Sequence, residues 1–388
     1  MSEVSGLTVE LITRPEAIPL SPDQWNALVA ANQTNTIFQT WEWFDAWWRT
    51  FGAHSRRLFL LVVRRESRII GFAALARRRS AFGWRRLEFA GTGNADYQDF
   101  VLPTDKEEAI AAICAFLRAN WWRWDRLALG NIPAHSATLA MLASASAGEG
   151  LHFVDEARVA CPTLMLQEDQ QRVRRVIDKY SVRRPQNWFR KRGDVRFRHV
   201  TSDEEIERLL PKFFDQHRRR WRAVGKASLF TQARQVRFYA SLARALRARG
   251  WLQFSVVEFN GAPIAFHFGF DYAGCLTWYK PAFEMRYAAH SPGLLLTRHL
   301  IEDGLNRSRR EFDFTCGDES FKERFASRHR YNASVGIYHS APLYWLAFTV
   351  HKLRRVAGDG ARRIRAWKVG GAAAQRPPLV VETDSGIA

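Results

Sequence analysis

Cysteine is scarce in this 388-residue sequence: Cys114, Cys161, Cys275 and Cys316 stand far apart, with no Cys-x-x-Cys. That spacing speaks against a zinc site and against a disulfide scaffold, and no metal is expected. Long apolar runs are also missing. The longest late one, APLYWLAFTV (Ala341–Val350), falls well short of the ~20 residues that span a bilayer. The opening MSEVSGLTVELITRPEA has no basic segment leading into an apolar one, so no signal peptide is expected and the location reads as cytoplasmic. Acid is in deficit: 39 Asp and Glu face 58 Lys and Arg, a net charge of +19. Such a balance favours an anionic partner: a phosphate-bearing cosubstrate of the coenzyme A type, a nucleic acid or an acidic membrane face. The arginine runs at Arg77–Arg79 and Arg218–Arg220 read as solvated faces.

What is present is apolar residue, 47% of the chain, enough for real cores and against wholesale disorder. At this length two domains are the default. Ser21–Gly52 reads as tryptophan-rich helices, and Trp41–Trp48 as core. LFLLVVRRESRIIGFAALARRR (Leu58–Arg79) is a hairpin pattern, with its turn expected at Ile70-Gly71. Trp84–Pro103 reads as strand, Gly-Asn-Asp loop and strand; Lys106–Asn120 as a helix; RLALGNIP as a further strand. The second half repeats this scheme. Basic helices over Gln170–Gly193 precede the strand VRFRHV and two more helices. A three-strand meander then covers Trp251–Lys280 and turns at Asn260-Gly261 and Ala273-Gly274. A helix from Ser291, the strand EFDFT, the helix ESFKERFA and the strand ASVGIY complete it. Helices, meander, helix and strand in that mixed order make an α+β fold of two similar copies. The expected organisation is 1–165, 166–342 and a basic helical tail with a disordered end over 343–388.

The helix opening SPGLLLTRHLIEDG (Ser291–Gly304) has Ser then Pro, the preferred N-cap and first-turn order. Gly293 sits in the first turn, where the missing side chain leaves the orphan N–H groups open to an anion. A good helix start is also all that Ser-Pro need mean.

Meander, helix, strand, helix is the order of the GCN5-related N-acetyltransferase (GNAT) core. The blocks FQTWEWFDAWWRTFG, RRPQNWFRKRGDVRF, FFDQHRRRWRAVGK and HSPGLLLTRHLIEDGLNRSRREFDFTCGDESFKERF resemble the BioF2-like or CelD-type GNAT acyltransferases. These are related to the Fem-type aminoacyl transferases with two GNAT-like domains. The resemblance runs from Ile37 to Tyr338 and is most specific from Ser291 to Phe325. It implies tandem GNAT-like domains with mixed, mostly antiparallel sheets, and acetyl-CoA or another acyl-CoA as donor. The donor would be held in the second half by Ser291, Gly293, Leu294, Tyr279, Lys280 and Lys322. It also implies a link to surface polysaccharide. The usual Gly-rich cradle at this helix start is reduced to Gly293, which leaves aminoacyl-tRNA open as the donor.

Acyl transfer needs a base for the attacking amine or hydroxyl and donors for the oxyanion. Asp313, Asp318, Glu319 and His290 are the candidate bases. Asp313 alternates with Phe312 and Phe314, so its side chain points away from them. Asp318 and Glu319 serve equally as helix-start charges, and Lys322 either binds donor phosphate or pairs with Asp318. Cys316 has no His-bearing motif to activate it, and His267 reads as a core histidine. In the first half, Asn94, Asp96, Tyr97 and Asp99 of GTGNADYQDF face the acceptor or serve the turn. The acceptor class stays open: small molecule, sugar or peptide. No nucleic-acid recognition motif is seen. The basic tail allows peripheral membrane contact, and a scaffold that has lost catalysis is a third reading.

Overall fold

The structure, a computed structural model, describes residues 3–4, 6–80, 83–346 and 348–349. Its strands in the first half are β1 (Glu3–Val4), β2 (Leu7–Ile12), β3 (Arg57–Arg65), β4 (Arg68–Arg79), β5 (Arg85–Phe89), β6 (Arg126–Pro133) and β7 (His152–Met165). Those of the second are β8 (Val195–His199), β9 (Leu252–Phe259), β10 (Ala262–Tyr272), β11 (Cys275–Phe283), β12 (Glu311–Asp313) and β13 (Arg328–Tyr338). Among the described residues these strands form one sheet, ordered β1-β2-β3-β4-β5-β6-β13-β7-β12-β11-β10-β9-β8.

The order is nearly palindromic. In each half the strands pair antiparallel until one parallel contact: β5 with β6, and β11 with β12. The repeat shows at the hairpin turns. Glu66 and Asn260 have φ of 55° and 50°, the left-handed geometry of a two-residue hairpin loop. The first turn is therefore at Glu66-Ser67, and the expected Ile70-Gly71 turn lies inside β4. Periodicity misplaced it because Ile69, Ile70 and Phe72 continue an apolar run whose polar break is Arg64–Ser67. The spacing survives, since Arg68 and Ala262 open β4 and β10, and 262 − 68 = 194.

The last strand of each half crosses over. β13 pairs with β6 of the first half, β7 pairs with β12 of the second, and β7 and β13 pair with each other at the centre. β7 and the helix Thr138–Gly148 before it had no counterpart in the sequence reading. Conversely, Asp96–Phe100 is no strand; only Val101 bridges to Phe72.

Helices cover both faces. The helix Trp41–Trp47 places Trp43 and Trp47, both fully buried, in a core shared with Phe213, Phe238, Phe268 and Tyr279 of the second half. That core joins the halves on one face of the sheet. The opposite face holds Phe312, Phe314 and Trp278 beneath the helix Pro292–Asn306. Burying large aromatic side chains contributes roughly 1.5–3 kcal/mol each. Residues 341–346 and 348–349 are helical; the rest of the expected tail lies outside the described residues.

Candidate active site where two strands part

β11 and β12 run side by side for three residues, ending at Thr277 opposite Asp313. Beyond that point they diverge. Thr315 (φ 57°) and Gly317 (φ 121°) turn the second chain away, and it follows β7 instead: the Phe314 N–H donates to the Pro162 carbonyl at 3.1 Å and the Gly317 N–H to that of Ala160 at 2.9 Å. A β-branched residue at positive φ costs about 1–3 kcal/mol and persists where surroundings over-determine it. Here the Thr315 N–H donates to the Asp313 carboxylate at 2.9 Å and its hydroxyl donates across the gap to the Trp278 carbonyl at 3.3 Å.

The resulting splay is walled by Trp278–Pro281 on one side and Phe314–Cys316 on the other. The helix Asp203–Ala223 supplies His217, Arg220 and Trp221, and Glu319, Lys322 and Asp96 close the remainder. It is narrow, about 30 Å³. Arg220 is buried, donating to the Pro281 carbonyl at 3.2 Å with its guanidinium 4.7 Å from the Phe283 ring. The run Arg218–Arg220 is thus not simply a solvated face. The Lys322 ammonium is buried too; it donates to the Cys316 carbonyl at 3.0 Å and pairs with Glu319 at 2.7 Å, not with Asp318.

A loop of the first half reaches over this site. The Asn94 carbonyl accepts from the Tyr279 hydroxyl, which also accepts from Tyr239 at 3.0 Å. The Asp96 carbonyl accepts from Cys316 Sγ at 3.3 Å and from Asn332 Nδ2 at 2.7 Å. The Tyr97 hydroxyl donates to Asp313 Oδ1 at 2.9 Å. Burial, chiefly, pushes the Asp313 carboxyl up to about 7, against the opposing hydrogen bonds from Thr315 and Tyr97. The contact with Cys161, 3.5 Å away, and burial hold the Cys316 thiol well above its usual range. A protonated thiol is a poor nucleophile.

Asp313 and Tyr97 line not the splay but a second, wider cleft of about 450 Å³ between the halves. Its walls include Thr34, His135, Thr277, Arg310, Glu311 and Arg330. Burial raises Glu311, but Arg330 at 2.6 Å and Arg310 at 2.9 Å override it and keep that carboxyl below its usual value.

The remaining candidates scatter. Ser291 (φ 52°) opens the helix Pro292–Asn306 without a side-chain cap, and a Cβ on Gly293 would lie 3.3 Å from Phe283. Phe283 connects this helix start to Arg220 at the splay. Leu294 is half-buried and packs against the apolar core under the sheet. Lys280, by contrast, is on the wall of the splay, 4.4 Å from the Tyr279 ring. His290 stacks on Trp188 at 3.5 Å, and Asp318 is exposed; neither lines the splay or the cleft. Asp99 ties loops of the first half together, accepting from Thr34 at 2.8 Å and Ser136 at 2.5 Å. His217, Arg220, Glu311 and Arg330 escaped the sequence reading; the only signal was the position of FFDQHRRRW before the meander. His267 is a core histidine, stacked on Trp278, accepting from the Tyr279 N–H at 3.3 Å and lowered by burial to about 3.

Among the described residues no group of His, Cys, Asp and Glu is placed to hold a metal, and no helix is long and apolar enough to cross a membrane.

Residues 177–323 match the family described as Acetyltransferase (GNAT) domain. No curated protein matches the chain significantly. Among solved structures, FemX superposes with a TM-score of 0.61 at 10% identity, covering 85% of this chain and 98% of that one. A conserved protein of unknown function from Bacteroides thetaiotaomicron gives 0.54 at 10% identity, covering 85% and 99%. The C-terminal DUF2156 domain of a protein assigned as a lysylphosphatidylglycerol synthetase, from Agrobacterium fabrum, gives 0.50 at 13% identity, covering 84% and 95%. The second half therefore matches an acetyltransferase domain, the first half repeats its strand order within one α+β sheet, and the splay between β11 and β12 opens inside the matched part.

Proposed function

We propose that this chain is an acyltransferase that moves an acyl group, acetyl in the simplest case, from an acyl-CoA to an amine or hydroxyl. The observation that carries this reading is the splay itself, bounded mostly by residues of the matched acetyltransferase region and opening just past Asp313, whose carboxyl faces the wider cleft. The donor arm lies between Trp278–Pro281 and Phe314–Cys316, which must part to admit it. The donor phosphates lie at the helix start, on the N–H groups of Gly293 and Leu294, and Arg220 adds charge between the two. The acceptor comes through the wider cleft.

Asp313 then sits between donor and acceptor. With a carboxyl that loses its proton near pH 7, it takes the proton from the attacking nitrogen or oxygen. The new bond forms to the acyl carbon, the C–S bond breaks, and the thiolate leaves and takes a proton from water, to which Asp313 returns the one it accepted. Tyr97 frames the acceptor side, and Asp96 closes the splay on the donor side. In this reading the acceptor belongs to surface polysaccharide or cell-envelope metabolism and the enzyme works in the cytoplasm, which the resemblance of Ser291–Phe325 to BioF2-like and CelD-type enzymes supports.

Titration calorimetry of the protein with acetyl-CoA and CoA, repeated on Gly293→Trp, tests the donor. Micromolar binding that the substitution abolishes supports the reading; no heat with any acyl-CoA overturns it. A second reading is aminoacyl-tRNA as donor, favoured by the fit to FemX along nearly its whole length and by a helix start with one glycine. Binding of aminoacyl-tRNA without binding of CoA would establish it instead.

A further inference from the structure

Seven large hydrophobic residues stand exposed among the described residues, and five of them fall in two groups on either side of the end of β13. Trp121 (48% exposed) and Trp122 (51%) sit on the short helix Trp121–Arg123. Trp345, Leu346 and Phe348 sit on the helical segment that begins at residue 341. Both groups flank the end of β13: the His339 ring is 5.5 Å from that of Trp121, and the Tyr344 ring lies 6.4 Å from that of Tyr338 and 5.9 Å from that of Phe348. Single exposed apolar residues need no explanation; a cluster rimmed by charge marks an interaction site.

The rim is arginine. Arg57 faces Arg77 directly across β3 and β4, and Arg79 faces Arg85 across β4 and β5. Like charges directly opposite on a sheet are destabilising. The Arg77 guanidinium donates to the Arg123 carbonyl at 3.3 Å and that of Arg85 to the Trp122 carbonyl, so these cations edge the tryptophan pair. Burial first, then Arg57, Arg79, Arg123 and Arg85, lower the proton affinity of Arg77. Asp125 pairs with Arg85. Among the described residues no carboxylate pairs with Arg57, Arg77, Arg79, Arg118 or Arg123.

We propose that this face docks on an anionic lipid surface, with Trp121, Trp122, Trp345 and Phe348 at headgroup depth and the arginines on lipid phosphates. Tryptophan prefers the bilayer interface, where its ring is buried and its N–H stays wet. Cationic side chains beside it add attraction to acidic lipid. A second copy of the chain is a poor occupant, because it brings the same uncompensated arginines. Duplex nucleic acid satisfies the arginines but keeps its base faces stacked and offers nothing to Leu346 and Phe348, and a single strand could stack on Phe348 but offers nothing to Leu346. The inference stands apart from the acyl-transfer reading, since none of these residues lines the splay or the cleft.

The test is co-sedimentation of the full chain with vesicles of phosphatidylcholine alone and of phosphatidylcholine mixed with phosphatidylglycerol, at low and high salt. Binding to the acidic vesicles is expected, weakened by salt, with a blue shift of tryptophan emission. Trp121→Ala with Trp122→Ala should weaken it about 10-fold or more, and Arg77→Gln with Arg79→Gln should weaken it and flatten its salt dependence. Unchanged melting shows that the variants fold, and Trp345→Ala with Phe348→Ala is an independent probe of the same face. The proposal is overturned if acidic vesicles do not bind, or if binding survives both aromatic variants. Dimerisation or RNA binding that depends on Trp121 and Trp122, without vesicle binding, overturns it as well.

Discussion

The Tyr97 hydroxyl, on a loop of the first half, donates to the Asp313 carboxylate of the second half across 2.9 Å. One hydrogen bond thus links the loop that overhangs the splay to a carboxyl raised to about 7. If Asp313 is the base, kcat/KM rises with pH through a midpoint near 7. Asp313→Asn removes that limb and lowers turnover by about 10²–10⁴. Tyr97→Phe deletes a donor to the charged form, so the midpoint moves upward while activity at high pH is largely kept. Profiles of the three proteins with one acceptor decide this; a Tyr97→Phe profile with an unmoved midpoint counts against it.

The same carboxyl makes a statement about stability. Its proton is held more tightly in the folded chain than in the unfolded one, where it leaves near pH ~3.9. Its contribution is therefore most favourable below that pH and is lost as pH rises toward 7. Asp313→Asn should melt higher than the parent at pH 8 and converge with it near pH 4, by calorimetry.

Two histidines act in the opposite sense. His267 is lowered by burial to about 3, and His299, stacked on Phe197, to about 4. Folding holds both neutral while the unfolded chain takes up protons below about 6.5. Stability they permit at neutral pH is lost as pH falls from about 6.5 toward 4. Urea unfolding of His299→Phe, which keeps the stack, should show a weaker acid loss than the parent.

Lys322 and Glu319 form a buried pair at 2.7 Å. Removing only the cation leaves a buried carboxylate, a loss of about 3–5 kcal/mol. Lys322→Met should destabilise strongly, and adding Glu319→Gln should recover part of the loss. If Lys322→Met melts like the parent but binds acetyl-CoA weakly, the lysine serves the donor and not the fold.

Much of the second half was legible. Asn260-Gly261 and Ala273-Gly274 are turns whose chemistry is local, and both delimit the meander as observed. The alternation of EFDF aims Asp313 away from Phe312 and Phe314 because a strand has period 2. What could not be seen is what depends on distant pairing. Nothing near Cys161 says that β7 belongs beside β12, and nothing near Arg220 says that a run of arginines ends in a buried one. The contacts of Tyr97 with Asp313 and of Asp96 with Cys316 span 216 and 220 positions. Spacing within a motif carries no information on that scale.

The crossing of β7 and β13 reaches beyond the folded molecule to its synthesis. β6 is made by Pro133, yet its central neighbour β13 is complete only at Tyr338. While the ribosome makes the residues between them, the first half emerges with an open strand edge that its own β7 does not cover. Such an edge is a template for wrong partners, and pairings this far apart in sequence form slowly. The first half therefore keeps an unpaired edge until nearly the whole sheet has been made.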